Sequence, residues 1–195
     1  MIISHKYKFI FIKTRKTAGS SIERFLIDYL GPDDICTGSL IENTKSLNID
    51  YIDGHKDWKF IKENYPKEFK NYYKFAVERN PWDKVISYYY YSKNKKPKRT
   101  KNGVLEFISK FSKNVDDWSL YSDGEKIVVD KIFKFEDLHN DFKRSIIPYN
   151  DELLKIKLKS SFRGTVDYKD LYDEESILLI RKKFKNVIKL FNYEF

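Results

Sequence analysis

The sequence predicts an α/β domain of three layers, a mainly parallel central sheet flanked by helices, and three observations carry the prediction. Short apolar runs rich in aromatic and β-branched residues recur at 9–12, 73–77 and 132–135, the signature of buried strands. Each is followed by a polar break, and after each break apolar residues return at helical spacing. Strands that alternate with helices along a chain pair in parallel, with the helices packed on the sheet.

The first strand–helix unit is KFIFIKTRKTAGSSIERFLIDYL, residues 8–30. Its strand is Phe9, Ile10, Phe11 and Ile12, and residues 14–19 break it. Ser20 is expected to start the helix, with Glu23 at capping-box spacing. Ile22, Phe25, Leu26, Tyr29 and Leu30 form its apolar face, and Gly31-Pro32 ends it. A strand that feeds a helix through a small-residue loop presents backbone N–H groups and the positive end of the helix dipole, which suits an anion. Lys16 adds a charge, Thr17, Ser20 and Ser21 add hydroxyls, and Gly19 permits close approach to the backbone. The spacing is not that of a Walker A loop, in which the lysine follows a second glycine; here Lys16 precedes the loop's only glycine. Taken alone, the stretch also fits an ordinary turn with a solvated lysine.

Residues 32–51 are polar and weakly patterned and read as a surface connection. Beyond them His55 precedes a short helix capped by Asp57, with Trp58, Ile61 and Tyr65 inward and Pro66 at its end. The second strand–helix unit spans 72–93. Its strand covers residues 73–77, Asn80 suits an N-cap and Pro81 the first helical position. Trp82, Val85, Ile86 and Tyr89 face inward. Arg79 lies at the carboxyl end of the strand, where open α/β sheets bind ligands. Its planar fork suits phosphate, and Ser87 offers a hydroxyl from the second turn. Either residue alone fits a surface role equally well, with Arg79 paired to Glu78.

The chain of 195 residues is the length of one domain, spanning 1–195. A net charge of +9 favours an anionic partner. Cys36 is the single cysteine, so an intrachain disulfide and a cysteine-based metal cluster are both excluded. The three histidines, His5, His55 and His139, are scattered. The first residues lack an apolar leader and no apolar run reaches membrane-spanning length, so a cytoplasmic protein without stable membrane insertion is expected. Six of the nine residues from 93 to 101 are basic and none is acidic, which gives a basic mobile loop at about 93–103. Residues 104–111 read as a helix and 114–126 as a polar loop. A third unit places a strand at 128–135 and then a helix with Leu138, Phe142 and Ile146 inward and His139 on its surface. Lys157, Lys159 and Arg163 surround Ser160, Ser161 and Gly164 in a late loop. A last helix runs from 173 to about 191 with Ile177, Ile180, Phe184, Val187, Ile188 and Phe191 at core spacing.

A strand running into KTRKTAGSSI, and downstream a strand running into VERNPWDKVISYYY, resembles the sulfotransferase family, in particular its carbohydrate branch. The resemblance runs from about residue 8 to 195, is sparse in 32–51 and in the basic loop, and implies a P-loop-like fold. It implies that Lys16, Thr17, Ala18, Gly19, Ser20 and Ser21 hold the 5′-phosphosulfate of 3′-phosphoadenosine 5′-phosphosulfate (PAPS). Arg79 and Ser87 would take its 3′-phosphate, and Arg163-Gly164 loosely matches a late loop that closes over the same group. Lys84 stands where the family has another basic residue. Sulfonate transfer to a hydroxyl, with adenosine 3′,5′-bisphosphate as product, needs a proton acceptor and a cation at the departing oxygen. His55 and Lys16 are the expected catalytic residues: a neutral imidazole accepts a proton near pH 7. Asp53, Asp57 and Glu63 are the alternatives for the base. The expected acceptor is a glycan, and the basic loop suits an anionic one; no metal or nucleic acid is required. An ATP-dependent phosphotransferase on a related scaffold and a basic nucleic-acid-binding module are the competing readings.

Overall fold

The computed structural model describes residues 1–37, 55–92, 101–155 and 166–195. In chain order its elements are β1 (Ile2–Ser4), β2 (Phe9–Ile12), α1 (Gly19–Leu26), β3 (Ile35–Cys36), α2 (Trp58–Asn64), α3 (Pro66–Asn71), β4 (Tyr73–Glu78) and α4 (Pro81–Ser92). Then follow α5 (Lys101–Phe111), α6 (Trp118–Tyr121), β5 (Ser122–Asp123), β6 (Lys126–Ile127), β7 (Lys131–Lys134), α7 (Leu138–Lys143), α8 (Glu152–Lys155), α9 (Glu174–Lys183) and α10 (Lys185–Phe191). They divide into two compact units, Met1–Glu78 with Ser119–Leu158, and Arg79–Trp118 with Lys159–Phe195.

The first unit holds a five-stranded sheet in the order β3-β1-β2-β4-β7. β2 pairs in parallel with β4 and β4 with β7, whereas β1 is antiparallel to both β2 and β3. Four of the five strands therefore run the same way, and helices flank the sheet, as the alternating pattern implied. Register explains the packing. Phe11 lies opposite Phe75, and Val77 opposite Phe133, so these side chains share one face. The Phe75 ring stacks on Phe11 and on Phe133 with centroids 4.9 Å away in each case. Ile22, Phe25 and Leu26 of α1 and Phe142 of α7 close over them. Stacked rings across strands add to the burial itself, and Phe75, fully buried, would cost about 3–5 kcal/mol to truncate to alanine.

The second unit is helical. Trp82, Val85, Ile86, Tyr89 and Tyr90 of α4 pack with Val104, Phe107 and Ile108 of α5 and with Ile180, Phe184 and Val187. The Trp82 indole donates to the Ile177 carbonyl at 3.3 Å, and the Tyr172 hydroxyl donates to the Trp82 carbonyl at 2.8 Å.

Several local expectations change. β1 and β3 leave no signature in the sequence: at three and two residues they are too short for period to register. The helix after β2 starts at Gly19 with Ala18 as N-cap and no side-chain cap, so Ser20 and Glu23 do not form a capping box. Strand β7 stops at Lys134, and Ile146 is 63% exposed because α7 ends at Lys143. His139 is engaged by the Tyr149 hydroxyl instead of facing solvent alone. Residues 101–103 belong to α5, which shortens the basic loop; its remainder, 93–100, lies outside the described residues. The 114–126 stretch is ordered into α6 and the β5–β6 hairpin, whose turn places Gly124 at φ 60°. The last helix is two, broken at Phe184. The Asp57 cap stands as expected, accepting from the Phe60 N–H at 2.8 Å.

Candidate active site

The loop between β2 and α1 is built from its buried residues upward. Thr14 is 1% exposed and Thr17 fully buried. The Thr14 hydroxyl donates to the Val77 carbonyl at 2.5 Å, so in its 2.7 Å contact with the Thr17 hydroxyl it is the acceptor. These bonds fasten the loop to the carboxyl end of β4. What Thr17 can offer a ligand is therefore its backbone N–H, not its hydroxyl. Lys16 and Ala18 have φ of 60° and 61°, a left-handed conformation that costs an L-residue about 1–2 kcal/mol. Left-handed residues alternating with an ordinary one turn successive N–H groups to the same side, the arrangement that cups an anion. The loop then enters α1 at Gly19. A Cβ there would fall 2.8 Å from Lys13 Cγ and 3.3 Å from the Thr14 carbonyl oxygen, so glycine is required by space. Lys16 and Ser20 are half-buried and Ser21 is buried.

His55 belongs to the same unit. Its Nδ1 lies 3.0 Å from the Lys13 carbonyl. A carbonyl only accepts, so Nδ1 carries the proton and Nε2 is the basic nitrogen of the neutral ring. Lys13, at the entrance to the loop, also pairs through Nζ with the Glu23 carboxylate.

Arg79 and Ser87 belong to the second unit. Arg79 directly follows β4 and is paired with Asp83, one turn into α4, not with Glu78: Nε donates to Asp83 Oδ2 at 2.7 Å and an Nη at 2.5 Å. Glu78 accepts instead from the buried Tyr121 hydroxyl at 3.0 Å. The Asn80 side chain caps α4, accepting from the N–H groups of Trp82 and Asp83 at 3.1 and 3.4 Å. Ser87 is half-buried on that helix. Lys84 is 1% exposed and pairs with Asp117 at 2.9 Å, a desolvated ion pair inside the unit. Burial pushes the neighbouring Asp116 carboxyl up, partly offset by the Trp118 N–H and Lys84.

The structure thus places His55, which contacts Lys13, and residues 16–21 in the first unit and Arg79 and Ser87 in the second; Arg163 lies outside the described residues. Sequence reasoning overlooked Lys13, Thr14 and Asp83. Only Asp83 carried a signal, its i+4 spacing from Arg79. Cys36 is buried, and burial with the nearby Glu23 pushes its thiol up to about 12, so it is no nucleophile. Among the described residues no cluster of His, Cys, Asp and Glu could hold a metal ion, and no helix is long and apolar enough to cross a membrane.

Comparison with known proteins bears on the family and the fold. Residues 1–147 match the model of the Sulfotransferase family. Among solved structures the chain is similar to mouse sulfotransferase SULT7A1 complexed with PAP: TM-score 0.55, 14% identity, 95% of this chain and 86% of that chain covered. Identity that low speaks for the fold alone. None of the curated proteins matches the chain. The chain belongs to the sulfotransferase family.

Proposed function

We propose that the chain, acting as one domain over 1–195, transfers the sulfonate of PAPS to a hydroxyl of a carbohydrate, with His55 as base and Lys16 at the departing oxygen. The observation that carries the reading is the His55 Nδ1–Lys13 carbonyl bond, which ties His55 to the residue at the entrance to the anion loop and leaves Nε2 as the basic nitrogen of the neutral ring.

The residues fit the donor. Left-handed Lys16 and Ala18, with Gly19 next, form the cup that a phosphate group needs. By resemblance, Arg79, Ser87 and Arg163 would hold the 3′-phosphate, and the pairing with Asp83 orients the Arg79 guanidinium. PAPS, when bound, supplies an activated sulfonate. His55 Nε2 takes the acceptor hydroxyl's proton as that oxygen bonds to sulfur. Lys16 Nζ and the loop N–H groups stabilise the negative charge that grows on the phosphate side. This scheme asks for no divalent cation. A carbohydrate acceptor, and an anionic one, is supported by the resemblance to the carbohydrate branch and by the basic run at 93–101.

Calorimetry with adenosine 3′,5′-bisphosphate, with ATP and magnesium, and with an oligonucleotide tests the donor. The bisphosphate should bind in preference; a submicromolar preference for ATP would overturn the reading. Transfer of labelled sulfonate to a glycan panel, beside phenols and simple alcohols, tests the acceptor, and labelling of phenols alone would overturn the carbohydrate assignment.

A further inference from the structure

Glu23 sits on α1 with its side chain 3% exposed, yet a carboxylate there serves neither the helix cap nor any surface contact. It pairs with Lys13 Nζ and accepts from the Met1 ammonium at 3.3 Å. The Lys13 side chain, 12% exposed, reaches it by arching over the start of the helix: a Cβ at Gly19 would lie 2.8 Å from its Cγ and 3.2 Å from its Cε. So Lys13 spends its charge inside the fold, unlike a lysine aimed at a ligand. Immobilising so long a side chain costs entropy, which a desolvated, hydrogen-bonded ion pair can offset. The result is a strap from the end of β2 to the second turn of α1. It anchors the residue whose carbonyl holds His55 Nδ1, while Thr14, the next residue, is anchored separately on Val77. The peptide between Lys13 and Thr14 is thereby oriented from both sides.

We propose that Lys13, held by Glu23, is a positioning residue for sulfonate transfer: it keeps its own carbonyl where that carbonyl selects the Nδ1–H tautomer of His55. This rests on the reading of His55 as the base. If the carbonyl turned away, the neutral ring could carry its proton on Nε2 and would offer the acceptor hydroxyl a donor instead of a lone pair.

Lys13→Met keeps the stem and removes the charge. It should lower kcat by about 10- to 100-fold, the range known for losing the partner that orients a metal-bound histidine. The affinity for adenosine 3′,5′-bisphosphate should stay within about twofold, since the loss lies in the chemical step. Lys13→Arg should recover most of kcat. Ring ¹⁵N shifts, assigned by the resonance missing in His55→Ala, should show Nδ1–H in the native enzyme and a tautomer mixture in Lys13→Met. Unchanged kcat and tautomer in Lys13→Met, beside an inactive His55→Ala, would overturn the positioning role alone. Equal losses of kcat and bisphosphate affinity would overturn it too, by making Lys13 part of the phosphate site. Full turnover in His55→Ala would remove the base reading beneath it. Should Lys13→Met not fold, Glu23→Gln gives the same kinetic comparison, and an Nε2–H tautomer in the native enzyme would by itself refute the proposal.

Discussion

The two strand–loop–helix turns solve the same geometric problem in opposite ways. After β2 the helix has an alanine N-cap in a left-handed conformation and no side-chain cap; buried threonines and the Lys13–Glu23 strap hold the loop from behind. After β4 the helix begins conventionally, with Asn80 capping it and Pro81 at its first position. Its cation, Arg79, is held by Asp83. The difference matches the roles proposed for the two turns. A helix start meant to bind an anion leaves its N–H groups uncapped by its own side chains and accepts backbone strain. A helix start that recognises through a side chain can afford an ordinary cap.

If that contrast is right, substitutions at the first turn should read out in turnover and those at the second in affinity or stability. The largest effect is expected for His55→Ala: loss of a general base should lower kcat by about 10²- to 10⁴-fold, with bisphosphate affinity by calorimetry unchanged. Retained turnover would move the base elsewhere. Lys16→Ala should cost about 10²- to 10³-fold in kcat, the range for removing one group that stabilises developing negative charge, as measured by single-turnover transfer; an effect confined to KM would break the contrast. At the second turn, Arg79→Ala should weaken bisphosphate binding by about 1.5 to 3 kcal/mol, the worth of a hydrogen bond to a charged group. Unchanged affinity would remove Arg79 from the nucleotide site. The smallest pair sharpens the comparison most. Asn80→Ala should lower stability by about 1 kcal/mol in denaturant unfolding, as loss of an N-cap does. Ser20→Ala, the matching change at the sequence's apparent cap, should stay within about 0.5 kcal/mol of the native protein. Equal costs would mean that the first helix is capped after all.

Much of this was legible without coordinates. The strands at β2 and β4 and the cap at Asn80 follow from patterns spanning four to eight residues, which local physics largely decides. Ser20 and Glu23 show where such reading stops. Their spacing satisfies a capping box, but Glu23 has a better partner in Lys13, ten residues earlier, and that pairing exists only because the chain folds back across Gly19. Likewise His139 has no sequence neighbour that announces Tyr149.

What the sequence by itself determined is the alternation of strand and helix, the two motifs that carry the family resemblance, and the identity of the groups able to bind an anion. Apolar period and turn chemistry are local, so they survive in a one-dimensional string. Only the tertiary structure decided that Thr17 spends its hydroxyl on Thr14, that Arg79 is held by Asp83, and that His55 rests its Nδ1 on the Lys13 carbonyl, 42 residues distant in sequence. Those choices are competitions among partners that meet only on folding, and burial settles them by penalising whichever polar group is left unpaired.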